Sequence, residues 1–133
     1  KARPESTARD QFNLDWLQTK MQGLVVSPAD VQATLTALTA HTIAHELKAA
    51  MPDCQRLLVC GGGSHNPVLM QHLRHLLATT QIQTTAEHGL HPDYVEAAAF
   101  AWLAREALAK RPGNVSAVTG AKGPRVLGVV YPK

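Results

Sequence analysis

The stretch Leu57-Leu58-Val59-Cys60-Gly61-Gly62-Gly63-Ser64-His65-Asn66-Pro67-Val68-Leu69-Met70 decides how the rest of the chain is read. Residues 57–60 are an apolar run that reads as a short buried strand. Three glycines follow, and Asn66 and Pro67 then supply an N-cap and a first-turn proline for an apolar-periodic helix. Strand, glycine turn and helix in that order point backbone N–H groups and the positive end of a helix beyond the strand. A nucleotide or another anion is the natural occupant of such a place. The stretch is not G-x-G-x-x-G, because the third glycine is out of place, and no Gly-Lys-Ser or Gly-Lys-Thr follows to make a P-loop. A tight turn that needs positive φ and binds nothing would use the same glycines.

On the N-terminal side, residues 1–9 are polar and contain Pro4, which predicts an extended segment. Residues 10–17 predict a short helix burying Phe12, Leu14, Trp16 and Leu17, ended by Gly23. Ser27-Pro28-Ala29-Asp30 gives an N-cap, a first-turn proline and an acidic residue in a capping-box variant. The long helix that follows is expected to present Val31, Leu35, Leu38, Thr42 or Ile43, and Leu47 on one face, and to stop at Met51-Pro52-Asp53.

On the C-terminal side, the helix after the glycines is expected to run to about residue 78, with Leu69, Leu73, Leu76 and Leu77 on one face. Residues 81–85 read as a second strand, 89–92 as a turn, and 93–110 as an alanine-rich helix. That helix is apolar most of the way round, so it should lie against other structure on more than one side. Residues 125–131 read as a last strand. The predicted class is α/β, in the order α-α-β-α-β-α-β, with residues 1–26 leading into a single unit over residues 27–133. Parallel strands joined by helices want several neighbours and covered faces, so three strands imply an incomplete sheet.

With 133 residues the chain suits one domain, and its hydrophobic share of 45% is that of an ordinary globular protein. The net charge of +3 is mild, and the arginines form no run and no interleaving with aromatics, so nucleic-acid binding has little support. Cys54 and Cys60 lack C-x-x-C spacing, which argues against a disulfide framework or structural zinc and for a reducing cytoplasm. No run of 18 apolar residues suggests a membrane span. The chain opens on Lys1 rather than Met, as a processed or truncated polypeptide would. The sequon Asn114-Val115-Ser116 has meaning only in a secretory pathway.

Seven histidines raise the question of a metal. His41 and His45 have ligand spacing on a helix, but Thr42 stands where a zincin has glutamate and no third ligand is evident. His72 with His75, and His88 with His91, read the same way, and no metal is placed on protein ligands. Ser64 beside His65 lacks the Gly-x-Ser-x-Gly elbow of a nucleophile. Glu96 lies in the first turn of the apolar helix, where the dipole alone would favour a carboxylate. Alternatively it faces a cleft and accepts hydrogen bonds from a polar substrate.

The segments 59–70, Glu96-Ala97 with Ala99-Phe100-Ala101-Trp102-Leu103-Ala104, Pro112-Gly113-Asn114, Val118-Thr119-Gly120-Ala121, Val126-Leu127-Gly128 and Tyr131-Pro132 occur in a telling order. Together with Ser6-Thr7-Ala8-Arg9-Asp10 and Phe12-Asn13-Leu14, they resemble the C-terminal part of the anhydro-N-acetylmuramic acid kinases. Ala8 departs from the family's usual glycine. The resemblance covers essentially the whole chain. It implies the sugar kinase, heat-shock protein 70 and actin superfamily, so that this chain would be part of an actin-like (ribonuclease H-like) ATPase lobe. The family uses ATP and magnesium to hydrolyse the 1,6-anhydro bridge of anhydro-N-acetylmuramic acid and phosphorylate its 6-hydroxyl, in cytoplasmic peptidoglycan recycling.

By that resemblance Gly61, Gly62, Gly63 and Asn66 correspond to the adenosine motif and Glu96 contacts the sugar. The family's phosphate loop and water-activating aspartate match no stretch here, so no catalytic residue is assigned. The missing N-terminal part of the protein is the expected partner, and the chain alone is expected to be inactive. A homodimer is expected through the alanine-rich helix. Another actin-like sugar kinase and a non-catalytic dimerisation domain are the alternatives.

Overall fold

The computed structural model describes residues 11–131. Its elements are helix α1 (Leu14–Met21), helix α2 (Pro28–Ala50), strand β1 (Arg56–Val59), helix α3 (Pro67–Leu76), strand β2 (Gln81–Thr84), helix α4 (Val95–Leu108) and the short helix α5 (Ser116–Thr119). Single 3-10 turns sit at Gly62–His65, Thr85–His88 and Pro92–Tyr94.

The unit β1–α3–β2 is the centre. Its strands pair in parallel, with Arg56 opposite Gln81, Leu57 opposite Ile82, Leu58 opposite Gln83 and Val59 opposite Thr84. A parallel pair needs a crossover, and α3 supplies it. Strand side chains alternate between faces. Leu57, Val59 and Ile82 therefore turn one way, onto a core of Ala40, Ala44, Leu69, Met70, Leu73 and Leu77. Leu58, on the other face, is exposed. Helices α2 and α3 pack on each other across that core. Small Ala40 and Ala44 let the helices approach, and Leu73 fills the contact at 1% exposure.

Helix ends follow the sequence closely. Ser27 Oγ accepts from the Asp30 amide at 3.1 Å and donates to Asp30 Oδ2 at 2.7 Å. Asn66 Oδ1 accepts from the amides of Val68 at 3.0 Å and Leu69 at 3.1 Å. Asn13 Oδ1 caps α1 by accepting from Trp16 N at 2.9 Å, so that helix starts at Leu14 instead of residue 10, which lies outside the described residues. Phe12 and Leu14, expected inside, are exposed, and Phe12 makes an edge contact with Trp16.

Three further expectations are corrected. The face of α2 that reaches the core is Ala40 and Ala44 with Leu47 beside them, while Leu38 is exposed. Residues 125–131 form no strand. Arg125 gives its amide to Asn114 Oδ1 at 2.6 Å and its carbonyl to the Gly113 amide at 3.0 Å, and Gly128 takes a φ of +102°, so the segment has no free ladder there. It lies instead along α4, with Leu127 beside Gly113 and Gly128 beside Ala107. The order among the described residues is thus α-α-β-α-β-α-α, an α/β fold with a two-stranded sheet.

The third correction concerns α4. Only Glu106 of this helix is buried, while Phe100 is 64% and Trp102 45% exposed. The segment 125–131 covers one side and nothing among the described residues covers the rest. The accessible surface is 10797 Å², against about 6800 Å² for a compact monomer of this mass.

The end of α4 is fastened by charge. Glu106 Oε2 accepts from Arg111 Nε at 2.6 Å, and Oε1 accepts from Arg111 Nη2 at 2.9 Å and from Arg105 Nε at 3.1 Å. These bonds, the Arg111 bond foremost, hold the Glu106 carboxyl down from 4.5 to about 2. Asn114 closes the following loop, its Nδ2 donating to the Gly123 carbonyl at 3.2 Å.

Leu73→Ala is expected to cost about 2–5 kcal/mol of unfolding free energy in a denaturant titration. A loss below about 1 kcal/mol would mean that the α2–α3 contact is not the core. Because Glu106 titrates lower in the folded chain than in the unfolded one, its contribution is complete above pH 4.5 and disappears as pH falls toward 2. Glu106→Gln is therefore expected to lower the melting midpoint at pH 7, with the gap from the parent closing on acidification.

Candidate functional site

β1 ends at Val59, and Cys60 leads into Gly61, whose φ of +75° is open to glycine and strained for other residues. That turn reverses the chain into the Gly62–His65 turn. Ser64 steadies it, with its amide and its hydroxyl both donating to the Gly61 carbonyl, at 3.0 and 2.7 Å. The Gly61 amide reaches across to the Pro92 carbonyl at 2.9 Å. His65 Nε2 meets Asp93 Oδ1 at 2.8 Å. Since an ionised carboxylate only accepts, Nε2 carries the proton.

These two bonds set the turn Pro92–Tyr94 against the glycines, and α4 begins directly after it. The result is an open groove of about 490 Å³ lined by Cys60, Gly61, Gly62, Pro92, Asp93, Val95, Glu96 and Ala99. Gly61 and Gly62, from one end of the sheet, thus share a groove with Glu96, which is 35 positions further on than Gly61. A methyl group added at either glycine would meet nothing within 4 Å, so the backbone there is approachable.

Gly63 and Asn66 are placed otherwise. A Cβ at Gly63 would lie 3.4 Å from Leu69 Cδ2, on the side of the core. Asn66 Oδ1 is spent on the amides of Val68 and Leu69, and Pro67 has no amide to give. The start of α3 therefore has few donors left for a ligand. The first amides of a 3-10 turn have no partner within the turn, which leaves those of Gly62 and Gly63 as donors, the Gly61 amide being held by Pro92.

Two carboxylates, Asp93 and Glu96, line the groove and no cation does. Such a wall receives hydroxyls and repels bare phosphate, so the groove fits a sugar or the ribose side of a nucleotide. Asp93 and Pro92 were not singled out from the sequence, and His65 was weighed only as the neighbour of Ser64. The only signal was their adjacency to the glycines and to Glu96.

His41 and His45 are exposed on α2, and His88 Nε2 is bonded to Gln83 Oε1 at 3.0 Å. Among the described residues no three His, Cys, Asp or Glu side chains gather as a metal would require. Nor is any helix there long and apolar enough to cross a membrane. The side chain of Asn114, in the sequon, is engaged at both ends.

The geometry is that of an α/β protein with a polar small-molecule groove at a strand–glycine–helix turn. The sequence model of the anhydro-N-acetylmuramic acid kinases matches residues 1–133, and the chain belongs to that family. Curated relatives bearing that name include one from Xanthomonas campestris pv. campestris, 53% identical over 97% of this chain, and one from Xylella fastidiosa, 50% identical over 97%. Another, from Cupriavidus pinatubonensis, is 50% identical over 99%. The chain spans about a third of the length of each, 34% to 36%.

Gly61→Ala is expected to cost about 1–2 kcal/mol, because alanine must enter the left-handed region. Gly62→Ala should be neutral or stabilising by up to about 1 kcal/mol. Chemical denaturation of the two variants side by side checks the difference, and equal losses would contradict the turn geometry.

Proposed function

We propose that this chain is the C-terminal part of an ATP-dependent kinase that hydrolyses the anhydro bridge of anhydro-N-acetylmuramic acid and phosphorylates the product at its 6-hydroxyl. The family match along the whole chain carries this reading. In it, Gly61, Gly62 and Gly63 border the adenosine, Asn66 shapes their turn by capping α3, and Glu96 accepts hydrogen bonds from the sugar. The open backbone at Gly61 and Gly62 supports a closely approaching nucleotide, and the carboxylate-lined groove supports hydroxyl-bearing ligands. ATP and magnesium would supply the phosphoryl group and its charge neutralisation, with the metal and the phosphates held by residues outside this chain.

The same reading makes the chain part of an actin-like lobe whose sheet continues with strands from the remainder of a longer, cytoplasmic protein. The exposed outer face at Leu58 and the uncovered α4 support such a continuation. The exposed Phe100 and Trp102 also favour a homodimer through α4, which is compatible with catalysis.

In the full-length protein, Glu96→Gln is expected to lower kcat/KM for anhydro-N-acetylmuramic acid by about tenfold or more, while ATP affinity stays within about twofold. Gly62→Ala should do the reverse and weaken ATP. The isolated 133-residue chain should show no turnover. Phosphorylation by the isolated chain, or a Glu96→Gln enzyme with parent kinetics, would overturn the assignment.

A further inference from the structure

The helix that carries Glu96 is held to the rest of the described molecule through a narrow joint. Helix α4 continues directly from the turn Pro92–Tyr94, and that turn packs against the glycine turn Gly62–His65. Two bonds cross that joint, Gly61 N–H to the Pro92 carbonyl and His65 Nε2–H to Asp93 Oδ1. The first is backbone and fixes where the segments touch. The second is made by side chains and adds a second point of attachment, which limits how the two turns rotate about the first.

We propose that His65 and Asp93 are positioning residues that set the location of Glu96 relative to Gly61 and Gly62, and so align the two ligands of the groove. This rests on the kinase reading above. Asp93 lies three residues before Glu96, in the turn that leads directly into α4, so a swing of that turn moves the Glu96 carboxylate with it. Pro92, which is buried and holds the backbone bond to Gly61, acts as the pivot. Asp93 has a second contact, His91 Nδ1 at 3.9 Å from Oδ2, and the His91 ring lies against Tyr94. That contact lies within the turn itself and cannot tie it to the glycines.

Exposure separates positioning from support. The His65 and Asp93 side chains are 58% and 47% exposed. A pair that wet contributes little to folding. Misplacing a substrate-holding carboxylate by about 1 Å, by contrast, can cost on the order of a hundredfold in rate. The pair should therefore matter for turnover far more than for stability, and its two members should act as one unit.

The test is a mutant cycle in the full-length protein, with ATP and anhydro-N-acetylmuramic acid as substrates. His65→Ala and Asp93→Ala are each expected to lower kcat/KM for the sugar by about tenfold or more, and the double variant to be no worse than the single ones. The melting midpoint without ligands should stay at that of the parent. His65→Gln, whose Nε2 amide can donate to Asp93, should recover most of the loss.

Additive losses, an unaffected His65→Ala enzyme, no rescue by His65→Gln, or losses that track a falling midpoint would each overturn the proposal while leaving the kinase reading intact. A parent protein that phosphorylates no anhydro-sugar would overturn the kinase reading and this inference together.

Discussion

One backbone hydrogen bond, Gly61 N–H to the Pro92 carbonyl, sets the arrangement on which the rest of the groove depends. It requires the chain to leave β1 in a left-handed conformation, which is why glycine stands at 61. It also requires the amide to be turned away from the sheet ladder, which is why β1 stops at Val59. On the other side it places the start of α4, so the first-turn carboxylate of that helix faces the glycines. The sheet supplies a rigid end and the bond locates everything that is mounted on it.

Much of this was legible in the residues. The strand read over 57–60 (found at Arg56–Val59 and half-buried on one face only), the caps Ser27 and Asn66, and the parallel pairing through α3 all arise from local chemistry: β-branched or leucine runs, side-chain oxygens ahead of helices, proline in a first turn. What was missed depends on distance along the chain. Ala40 and Ala44 looked unremarkable beside Leu35 and Leu38, because small residues announce a close helix approach only once the partner helix is known. The segment 125–131 has strand-like residues, but the bonds of Arg125 to Asn114 and Gly113 and packing on α4 overrode its propensity.

The candidate site divides in the same way. Gly61, Gly62 and Glu96 were legible, and the structure brings them into one groove. Asn66 was legible as a cap, and capping consumes the very amides that made the start of α3 look available to an anion. The pairing of Asp93 with His65 was invisible because it is a contact across 28 positions. The Glu106 cluster was hidden similarly: an acidic residue near a helix end between two arginines reads as a solvated face until the helix end folds back over it.

The parallel register has a consequence in time as well as in space. Arg56 and Gln81 are 25 positions apart, and the whole core lies between Ala40 and Leu77. Loops that short close quickly, so contact order favours early formation of the segment from α2 to β2. Helix α4 gains its place only when Pro92 and Asp93 find a glycine turn that already exists. By contact order alone the core precedes the groove, whose two walls meet only across the 31 positions from Gly61 to Pro92.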